Sequence, residues 1–299
     1  MQKRVFGKTG MEVSVLGFGG AEIGFEGANA AHVREMLSAA LDAGLNVVDT
    51  AECYMDSEEL LGEAISSRRQ DFYLFTKCGH KWTYTEEAWG AADIAESLER
   101  SLKRLKTDYV DLLQLHSCSK KILQKGECIK ALQKAKEEGK VRFIGYSGDG
   151  DDALYAIKTG AFDVLQTSCS IADQECIEKL LPLAGEKGMG VIAKRPIANA
   201  AWRFDSRPQN NYIHEYWERL RELKYDFING NSEAAGETAL RFTLSSPNVH
   251  TMIVGTTKPT RWLENAKVVG KGNLSESEYE AIRARWKKVA AGKDWVGQV

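Results

Sequence analysis

The sequence predicts an α/β fold: an eight-stranded parallel (β/α)8 TIM barrel with an N-terminal β-hairpin and an extra C-terminal helix. Eight short apolar runs alternate with amphipathic segments along the chain. The runs are apolar at successive rather than alternate positions, which is typical of strands buried on both faces of a parallel sheet. The length of 299 residues also suits such a barrel.

The predicted strands are short and often β-branched, which favours extended structure. In chain order they cover residues 13–17, 45–49, 72–76, 109–115, 141–147, 162–167, 190–193 and 250–254. An open, doubly wound parallel sheet is the rival arrangement, and the alternation of strands and helices alone leaves both open.

The segments between the runs have helical periodicity. Ile94, Leu98, Leu102 and Leu105 recur at steps of four, four and three, which gives one apolar stripe on an amphipathic helix. Each of three further predicted helices is followed by a glycine, a residue that commonly ends helices. These helices cover residues 31–43, 122–138 and 173–187.

Three segments lie outside the repeating unit. Residues 3–13 are typical of a hairpin that turns at Lys8, Thr9 and Gly10, and residues 275–291 predict a terminal helix. The aromatic-rich segment 200–231 follows the seventh strand, where an insertion in a barrel lies at the catalytic end. With five prolines and no linker-like stretch, we expect one domain over residues 1–299.

Composition and charge exclude several classes of protein. The chain is 43% hydrophobic and 27% charged with a net charge of −2, which is ordinary for a globular protein. A near-neutral chain does not indicate a nucleic-acid or anionic-membrane partner. No apolar run approaches the roughly 18 residues of a membrane span, and glycines and charges interrupt any signal-peptide core. We therefore expect a cytoplasmic protein without these partners; the sequence does not indicate its oligomeric state.

The six cysteines are scattered and form no CxxC pair or zinc-finger spacing with histidines. We therefore expect no metal site, and we expect the cysteines to be free thiols that pack as small hydrophobic residues. The alternative is a reactive thiol near the catalytic end, because Lys77 would lower the pKa of Cys53 or Cys78.

A glycine-rich segment after the first strand resembles the start of a dinucleotide-binding fingerprint. Residues 17–22 read GFGGAE, so Glu22 stands where the third glycine of GxGxxG is required for close packing of a helix on its strand. We interpret the segment as a glycine-rich turn at a strand end.

Polar residues end or closely follow three consecutive strands. Asp49 ends the second strand and Tyr54 follows it, Lys77 follows the third, and His116 follows the fourth. Each residue alone has an ordinary structural explanation, as a cap, an exposed strand end or a packed ring. Because neighbouring parallel strands end at one edge, we expect these four side chains to converge.

Carbonyl reduction requires this set of groups. Hydride transfer to a carbonyl carbon leaves negative charge on the oxygen, and a nearby acid must supply a proton. The Tyr54 phenol keeps its proton at neutral pH, and the Lys77 ammonium would ease its release. Asp49 would hold and neutralise Lys77, and His116 would orient the substrate oxygen by a hydrogen bond.

With these residues in place, the chain resembles the aldo-keto reductase family. The resemblance spans nearly the whole chain, and its motifs are VFGKTG (5–10), GFG (17–19), GLNVVDTAECY (44–54), SLERSLKRLKTDYVDLL (97–113) with His116, and GKVRFIGYS (139–147). It implies a barrel fold, a cofactor that is usually NADPH, and a catalytic set formed by Asp49, Tyr54, Lys77 and His116. The implied activity is NADP-dependent reduction of an aldehyde or ketone, or oxidation of an alcohol or sugar.

The resemblance also implies the cofactor contacts. Ser147 and Gln166 match the pair that hydrogen-bonds the nicotinamide carboxamide, and residues 255–265, GTTKPTRWLEN, match the adenosine-phosphate loop. In that loop glycine allows close backbone approach, the threonines offer hydroxyls, and the cations suit a phosphate, which favours NADP over NAD. The cofactor-binding residues implied are Gly20, Ser147, Gln166, Lys194, Arg195, Ile197, Gly255, Thr256, Thr257, Lys258, Arg261 and Asn265.

Two positions depart from the family pattern. Gly148 stands where the family usually has Asn, and Lys194-Arg195-Pro196-Ile197 replaces the aromatic residue and Ser-Pro-Leu after the seventh strand. Lys194 or Arg195 is expected against the nicotinamide ring or on the pyrophosphate. The departures bear on the substrate, which the sequence does not name.

Aromatic residues at the catalytic end and in the tail suggest an apolar or sugar-stacking pocket, although each also suits simple packing. They are Phe25, Trp82, Trp202, Phe204, Tyr212 and Trp295. Two other functions remain open. One is a non-catalytic NADP(H)-sensing accessory subunit on the same fold, and the other is a barrel enzyme for sugar phosphates without nicotinamide.

Overall fold

The computed structural model describes residues 1–80, 87–229 and 232–298. Its strands are β1 (Lys3–Val5), β2 (Glu12–Ser14), β3 (Leu16–Gly19), β4 (Val47–Asp49), β5 (Tyr73–Cys78), β6 (Val110–His116), β7 (Val141–Ser147), β8 (Val164–Ser168), β9 (Gly190–Lys194) and β10 (Thr251–Gly255). Strands β1 and β2 form an antiparallel pair, and β3 to β10 form a closed barrel in the order β10-β3-β4-β5-β6-β7-β8-β9. The neighbouring barrel strands are parallel.

Helices lie between the barrel strands and after the last one. They are α1 (Ala21–Phe25), α2 (Ala30–Asp42), α3 (Ser57–Ile65), α4 (Ala91–Leu105), α5 (Lys120–Leu123), α6 (Glu127–Glu137), α7 (Gly150–Thr159), α8 (Glu175–Lys179), α9 (Leu181–Glu186), α10 (His214–Leu223), α11 (Ser232–Ser245), α12 (Arg261–Val269) and α13 (Glu276–Ala290). Short 3-10 turns cover Gly7–Thr9, Ser66–Asp71, Ala198–Arg203, Asn211–Ile213 and Asp226–Ile228.

The predicted (β/α)8 barrel, with its hairpin and C-terminal helix, is confirmed. Seven of the predicted strands overlap observed barrel strands, with ends that differ by at most two residues. The first predicted strand, 13–17, instead includes the end of β2 and the start of β3. The predicted helix 122–138 is interrupted at Gly126, whose φ of 74° is left-handed. The segment 173–187 forms α8 and α9, which meet at Leu180. The interpretation of residues 1–299 as one domain stays a prediction.

The stripe predicted on α4 faces the core. Ile94, Leu98, Leu102 and Leu105 are buried there. Helices pack around the barrel in this way and form an outer apolar layer, which also contains the fully buried ring of Trp262 from α12. None of the helices in the described part of the chain is long and apolar enough to span a membrane.

A second apolar cluster fills the inside of the barrel and closes its amino end. Side chains from five barrel strands meet Phe6, Met11 and Val13 of the hairpin. Phe6 is fully buried, and its ring stacks on Phe75 of β5 with 5.9 Å between centroids. The hairpin therefore leaves the carboxyl end as the polar end of the barrel.

We predict that Phe6→Ala destabilises the protein by about 3–5 kcal/mol, because the ring fills the barrel interior and its removal leaves a cavity. The neighbouring Val5 is 60% exposed, so Val5→Ala should cost less than about 0.5 kcal/mol. Urea denaturation of both variants measures the two values. Equal and small losses of unfolding free energy in the two variants would show that the hairpin does not close the barrel.

Candidate active site

The carboxyl end of the barrel brings together the four residues that the sequence predicts. Asp49 is the last residue of β4, Lys77 lies next to the end of β5, and His116 ends β6. Tyr54 follows β4 in the loop before α3. Because these strands are adjacent and parallel, their ends place all four side chains at one edge.

A buried ion pair lies at the centre of the site. The Lys77 Nζ donates to Asp49 Oδ1 at 2.5 Å, and the two side chains are 2% and 1% exposed. The ammonium also donates to the carbonyl of Thr50 at 2.8 Å. The other Asp49 oxygen accepts a hydrogen bond from the Gln114 amide at 3.2 Å. The pair is thus hydrogen-bonded at both ends, as buried charges must be.

The phenol of Tyr54 lies beside this ammonium group. The Lys77 Nζ donates to the Tyr54 Oη at 3.4 Å and lies 4.8 Å from the centre of its ring. Tyr54 is only partly buried, whereas Lys77 is almost completely enclosed. A proton donor open to a ligand therefore lies next to a fixed positive charge.

His116 completes the arrangement. Its ring meets Tyr54 edge-on, with 5.6 Å between centroids, and its Nδ1 lies 3.4 Å from the Cys53 Sγ. Burial lowers the pKa of His116 well below the ordinary value, and the charge of Lys77 acts in the same direction. The imidazole is therefore neutral near pH 7 and offers one N–H donor and one acceptor nitrogen.

Two polar side chains at the next strand ends lack partners. Ser147 and Gln166 are register partners on β7 and β8. The Ser147 hydroxyl and both polar atoms of the Gln166 amide are buried and have no hydrogen-bond partner among the described residues. Unsatisfied buried groups are costly, and these provide the donors and acceptors that match a carboxamide. The residues present therefore fit the nicotinamide end of a cofactor.

The segment predicted to bind the adenosine phosphate joins β10 to α12. Gly255 ends β10, and Lys258 is exposed in the connecting loop. The Thr256 Oγ1 accepts a hydrogen bond from the Lys258 amide at 3.0 Å. Arg261 begins α12, is 44% exposed and lies 3.1 Å from Glu264, while Asn265 is half-buried on the same helix. The two cations are thus available to an incoming phosphate.

Two acidic residues, Glu22 of α1 and Glu26 directly after it, lie behind this loop, a contact that the sequence interpretation did not include. The Thr257 hydroxyl donates to Glu26 at 2.7 Å. The carboxylate of Glu22 lies so close to Gly255 that a Cβ there would overlap it. Burial raises the pKa of Glu22 to about 7. The sixth residue of the glycine-rich segment therefore packs under the loop, and the missing third glycine was its signal.

Gly20 and Ile197 lie at the edges of the site. The Gly20 amide donates to the Asp49 carbonyl at 2.7 Å, and a Cβ at this position would lie 2.7 Å from the Ser57 hydroxyl. Ile197 is half-buried against the outer core. A side chain at Gly148, the position where Asn was expected, would meet the ring of Tyr146.

Lys194 and Arg195 have partners that the sequence did not indicate. Lys194 forms an ion pair with Asp149 at 2.9 Å, and burial lowers its pKa to about 8. Arg195 donates to Ser168, Tyr212 and the backbone carbonyl of Gln298. Asp149 is the residue that the sequence interpretation missed; it lies two positions beyond Ser147, where a polar residue after a strand was the available signal.

The aromatic residues expected at the pocket are dispersed. Phe25 is 55% exposed, and its ring lies 6.0 Å from that of Tyr54. Phe204 and Tyr212 are exposed in the segment after β9, and Trp202 is half-buried there. Trp295 packs on Trp286 of α13. Trp82 lies outside the described residues. All six cysteines are buried thiols, and none forms a disulfide within the described residues.

Known proteins are similar to this chain over most of its length. A family model described as the aldo/keto reductase family matches residues 15–287. The uncharacterized oxidoreductase YqkF of Bacillus subtilis is 30% identical over 96% of this chain and 97% of its own. The L-galactose dehydrogenase of Arabidopsis thaliana is 30% identical over 94% of both chains. A Schizosaccharomyces pombe relative described as a voltage-gated potassium channel beta subunit is 28% identical, over 89% and 87%.

Solved structures are similar as well. The holo form of an aldo-keto reductase from Bacillus halodurans superposes with a TM-score of 0.81 at 28% identity, covering 95% of this chain and 96% of that one. An aldo-keto reductase from Klebsiella pneumoniae in complex with NADPH gives 0.76 at 27% identity, covering 95% of each chain. The resemblance inferred from the motifs is confirmed.

We predict that His116 makes stability fall in mild acid. Because its pKa is lowered in the folded state, the unfolded chain binds the proton first, and stability is lost as pH falls below about 6.5. Between pH 7.5 and 5.5 the wild type should lose about 1 kcal/mol more unfolding free energy than His116→Gln. Urea denaturation at both pH values measures this difference. Equal losses would contradict the lowered pKa.

Proposed function

We propose that this chain, which belongs to the aldo/keto reductase family, is an NADP-dependent oxidoreductase that reduces an aldehyde or ketone to the alcohol, or catalyses the reverse reaction on an alcohol or sugar. The observation that carries the proposal is the Lys77 ammonium 3.4 Å from the Tyr54 phenol. The same edge holds the Ser147 and Gln166 side chains, whose polar atoms have no hydrogen-bond partner in the part of the chain that the structure describes.

Tyr54 is proposed as the proton donor. When bound, the reduced nicotinamide supplies a hydride to the carbonyl carbon. Negative charge then develops on the carbonyl oxygen, and the phenol hydroxyl transfers its proton to that oxygen. In the reverse direction the same oxygen of Tyr54 accepts the proton of the alcohol, because each step must be reversible along the same path.

Lys77 and Asp49 are proposed to ease this transfer. As the phenol loses its proton, the nearby ammonium stabilises the negative charge left on the Tyr54 oxygen. Asp49 fixes the ammonium and balances its charge in a buried setting. Asp49 is in turn held by the Gln114 amide, so Gln114 is a positioning residue.

His116 is proposed to orient the carbonyl oxygen. It is neutral because burial lowers its pKa, so it donates a hydrogen bond without competing with Tyr54 as an acid. A neutral donor aimed at the oxygen stabilises the developing charge and fixes the carbonyl carbon for attack.

Two groups of residues are proposed to bind the two ends of the cofactor. Ser147 and Gln166 are proposed to bind the carboxamide, and Gly20 to leave room beside Asp49. The loop residues Gly255, Thr256, Thr257, Lys258, Arg261 and Asn265 are proposed to bind the adenosine end. Two exposed cations there favour a 2′-phosphate, hence NADPH. Direct cofactor contacts by Lys194, Arg195 and Ile197 stay predictions.

The non-catalytic alternative is less favoured, because the chain has the whole acid–base set and the channel-type relative is less similar than the dehydrogenase. A barrel enzyme without nicotinamide would leave the Ser147 and Gln166 side chains without a ligand. The cytoplasmic location stays a prediction.

We predict that Tyr54→Phe lowers aldehyde reduction at least about 100-fold, because the proton donor is lost. The NADPH Kd, measured by fluorescence titration, should change less than about twofold. Tyr155→Phe is the matched control, because the ring of Tyr155 on α7 lies against Lys120, and it should retain wild-type turnover. Retained turnover in Tyr54→Phe would exclude the proton-donor role.

We predict that Lys258→Met and Arg261→Met each weaken NADPH binding at least about tenfold, because charge-assisted contacts to a phosphate are lost. NADH binding should weaken less than about threefold, since NADH lacks the 2′-phosphate. Lys267→Met, on α12 and more than one helical turn beyond Arg261, controls for loss of a positive charge. Equal effects on both cofactors would contradict the proposed NADP preference.

A further inference from the structure

Lys194 ends β9 and Arg195 follows it, and among the described residues only Lys194 has a carboxylate within 4.0 Å. Lys194 lies 2.9 Å from Asp149, and the two side chains are 12% and 2% exposed. Asp149 also accepts hydrogen bonds from the Thr167 hydroxyl and from the amide of Ser168. The Lys194 charge is therefore paired within a closed network of buried groups.

Arg195 does not contact a carboxylate among the described residues; Asp149 attracts it only at longer range, with the Ser168 hydroxyl between them. Its three acceptors are neutral oxygens: the Tyr212 hydroxyl at 2.6 Å, the Ser168 hydroxyl at 2.9 Å and the Gln298 carbonyl at 2.6 Å. Within residues 1–80, 87–229 and 232–298, no carboxylate lies within 4.0 Å of the guanidinium. The same residues leave its Nη2 amino group without a hydrogen-bond acceptor. Arginine stays charged in proteins, so within the described residues Arg195 is a cation without a contacting carboxylate.

The guanidinium lies on the side of the barrel where the reaction is proposed to occur. Its partner Ser168 ends β8, whereas the loop that begins at Gly255 follows β10, and β9 separates these two strands. Arg195 therefore turns away from the predicted phosphate loop and towards the ends of β7 and β8, where Ser147 and Gln166 lie.

The electrostatics agree with this position. The positive charges of Lys194 and Arg195 add to burial and to Lys77 in lowering the pKa of His116. The two cations therefore act across the carboxyl end on the histidine that is proposed to orient the carbonyl. Tyr212, on which the guanidinium rests at 5.1 Å from the ring centre, is 49% exposed, so the arginine borders solvent.

We propose that Arg195 binds a carboxylate of the substrate, so that the substrates are carbonyl compounds that carry a carboxylate group. The proposal rests on the proposed function and names its substrate class. One positive charge without a contacting carboxylate among the described residues matches a monoanion, and the planar guanidinium with a free amino group suits a carboxylate oxygen. The Gln298 carbonyl oxygen already occupies a neighbouring donor of the same side chain, which shows that an oxygen fits there.

The test compares two aldehydes of similar size that differ in charge, 4-carboxybenzaldehyde and 4-methylbenzaldehyde. The wild type should prefer the carboxylate by at least about tenfold in kcat/KM, because a buried charge pair is lost with the methyl group. Arg195→Met should lower this preference at least about tenfold, mainly through KM. Arg207→Met removes a cation of the same segment that is 57% exposed and pairs with Glu218, and it should keep the wild-type preference.

A second measurement does not depend on turnover. Calorimetry follows the binding of 4-(hydroxymethyl)benzoate, the alcohol product, to the protein with NADPH, a combination that cannot react. Arg195→Met should weaken this binding at least about tenfold relative to wild type, and Arg207→Met should not. If neither aldehyde is reduced but this Arg195-dependent binding is seen, the substrate-anion site stands and the proposed reaction fails.

Three results would overturn the proposal. The first is an equal fall in kcat/KM for both aldehydes in Arg195→Met, which would mean that the side chain only supports the fold. The second is weaker NADPH binding with an unchanged aldehyde preference, which would assign Arg195 to the cofactor. The third is no binding of 4-(hydroxymethyl)benzoate to the wild type.

Discussion

The ion pair between Asp49 and Lys77 is the constraint on which the rest of the site depends. Register explains how it forms: Asp49 of β4 lies opposite Phe75 of β5. Lys77, two residues further, shares the face of Phe75 because side chains alternate along a strand. Phe75 points into the barrel core, so Lys77 also points inwards and meets Asp49 where the core ends.

Burying this ion pair costs desolvation free energy, which is offset only when both charges also form well-placed hydrogen bonds. An unpaired charge in such a place is strongly unfavourable, and a pair is tolerated when each charge also has hydrogen bonds. The Thr50 carbonyl and the Gln114 amide provide them. The ammonium is thereby fixed at one position. Tyr54, in the loop after β4, places its hydroxyl beside it. The closed apolar amino end around Phe6 leaves the other end of the barrel for this chemistry.

The sequence was sufficient for the barrel and for the four residues at its carboxyl end. Apolar runs mark buried strands, and the polar residue after each run marks an end, so convergence follows from the topology alone. It was insufficient where contacts join distant segments. Nothing near Lys194 or Arg195 in the sequence indicates Asp149 or the carbonyl of Gln298 as partners. The helix breaks at Gly126 and Leu180, by contrast, had local signals: a glycine with a left-handed φ, and Pro182 in the first turn of α9.

A double-mutant cycle tests most directly whether Lys77 acts through the Tyr54 phenol. If the ammonium acts through the phenol, Lys77→Met and Tyr54→Phe each lower kcat at saturating NADPH and aldehyde by about 100-fold or more, and the double variant is at most about tenfold slower than Tyr54→Phe alone. If kcat of the double variant falls by the product of the two single factors, the ammonium and the phenol act independently, and Lys77 does not assist proton transfer from Tyr54.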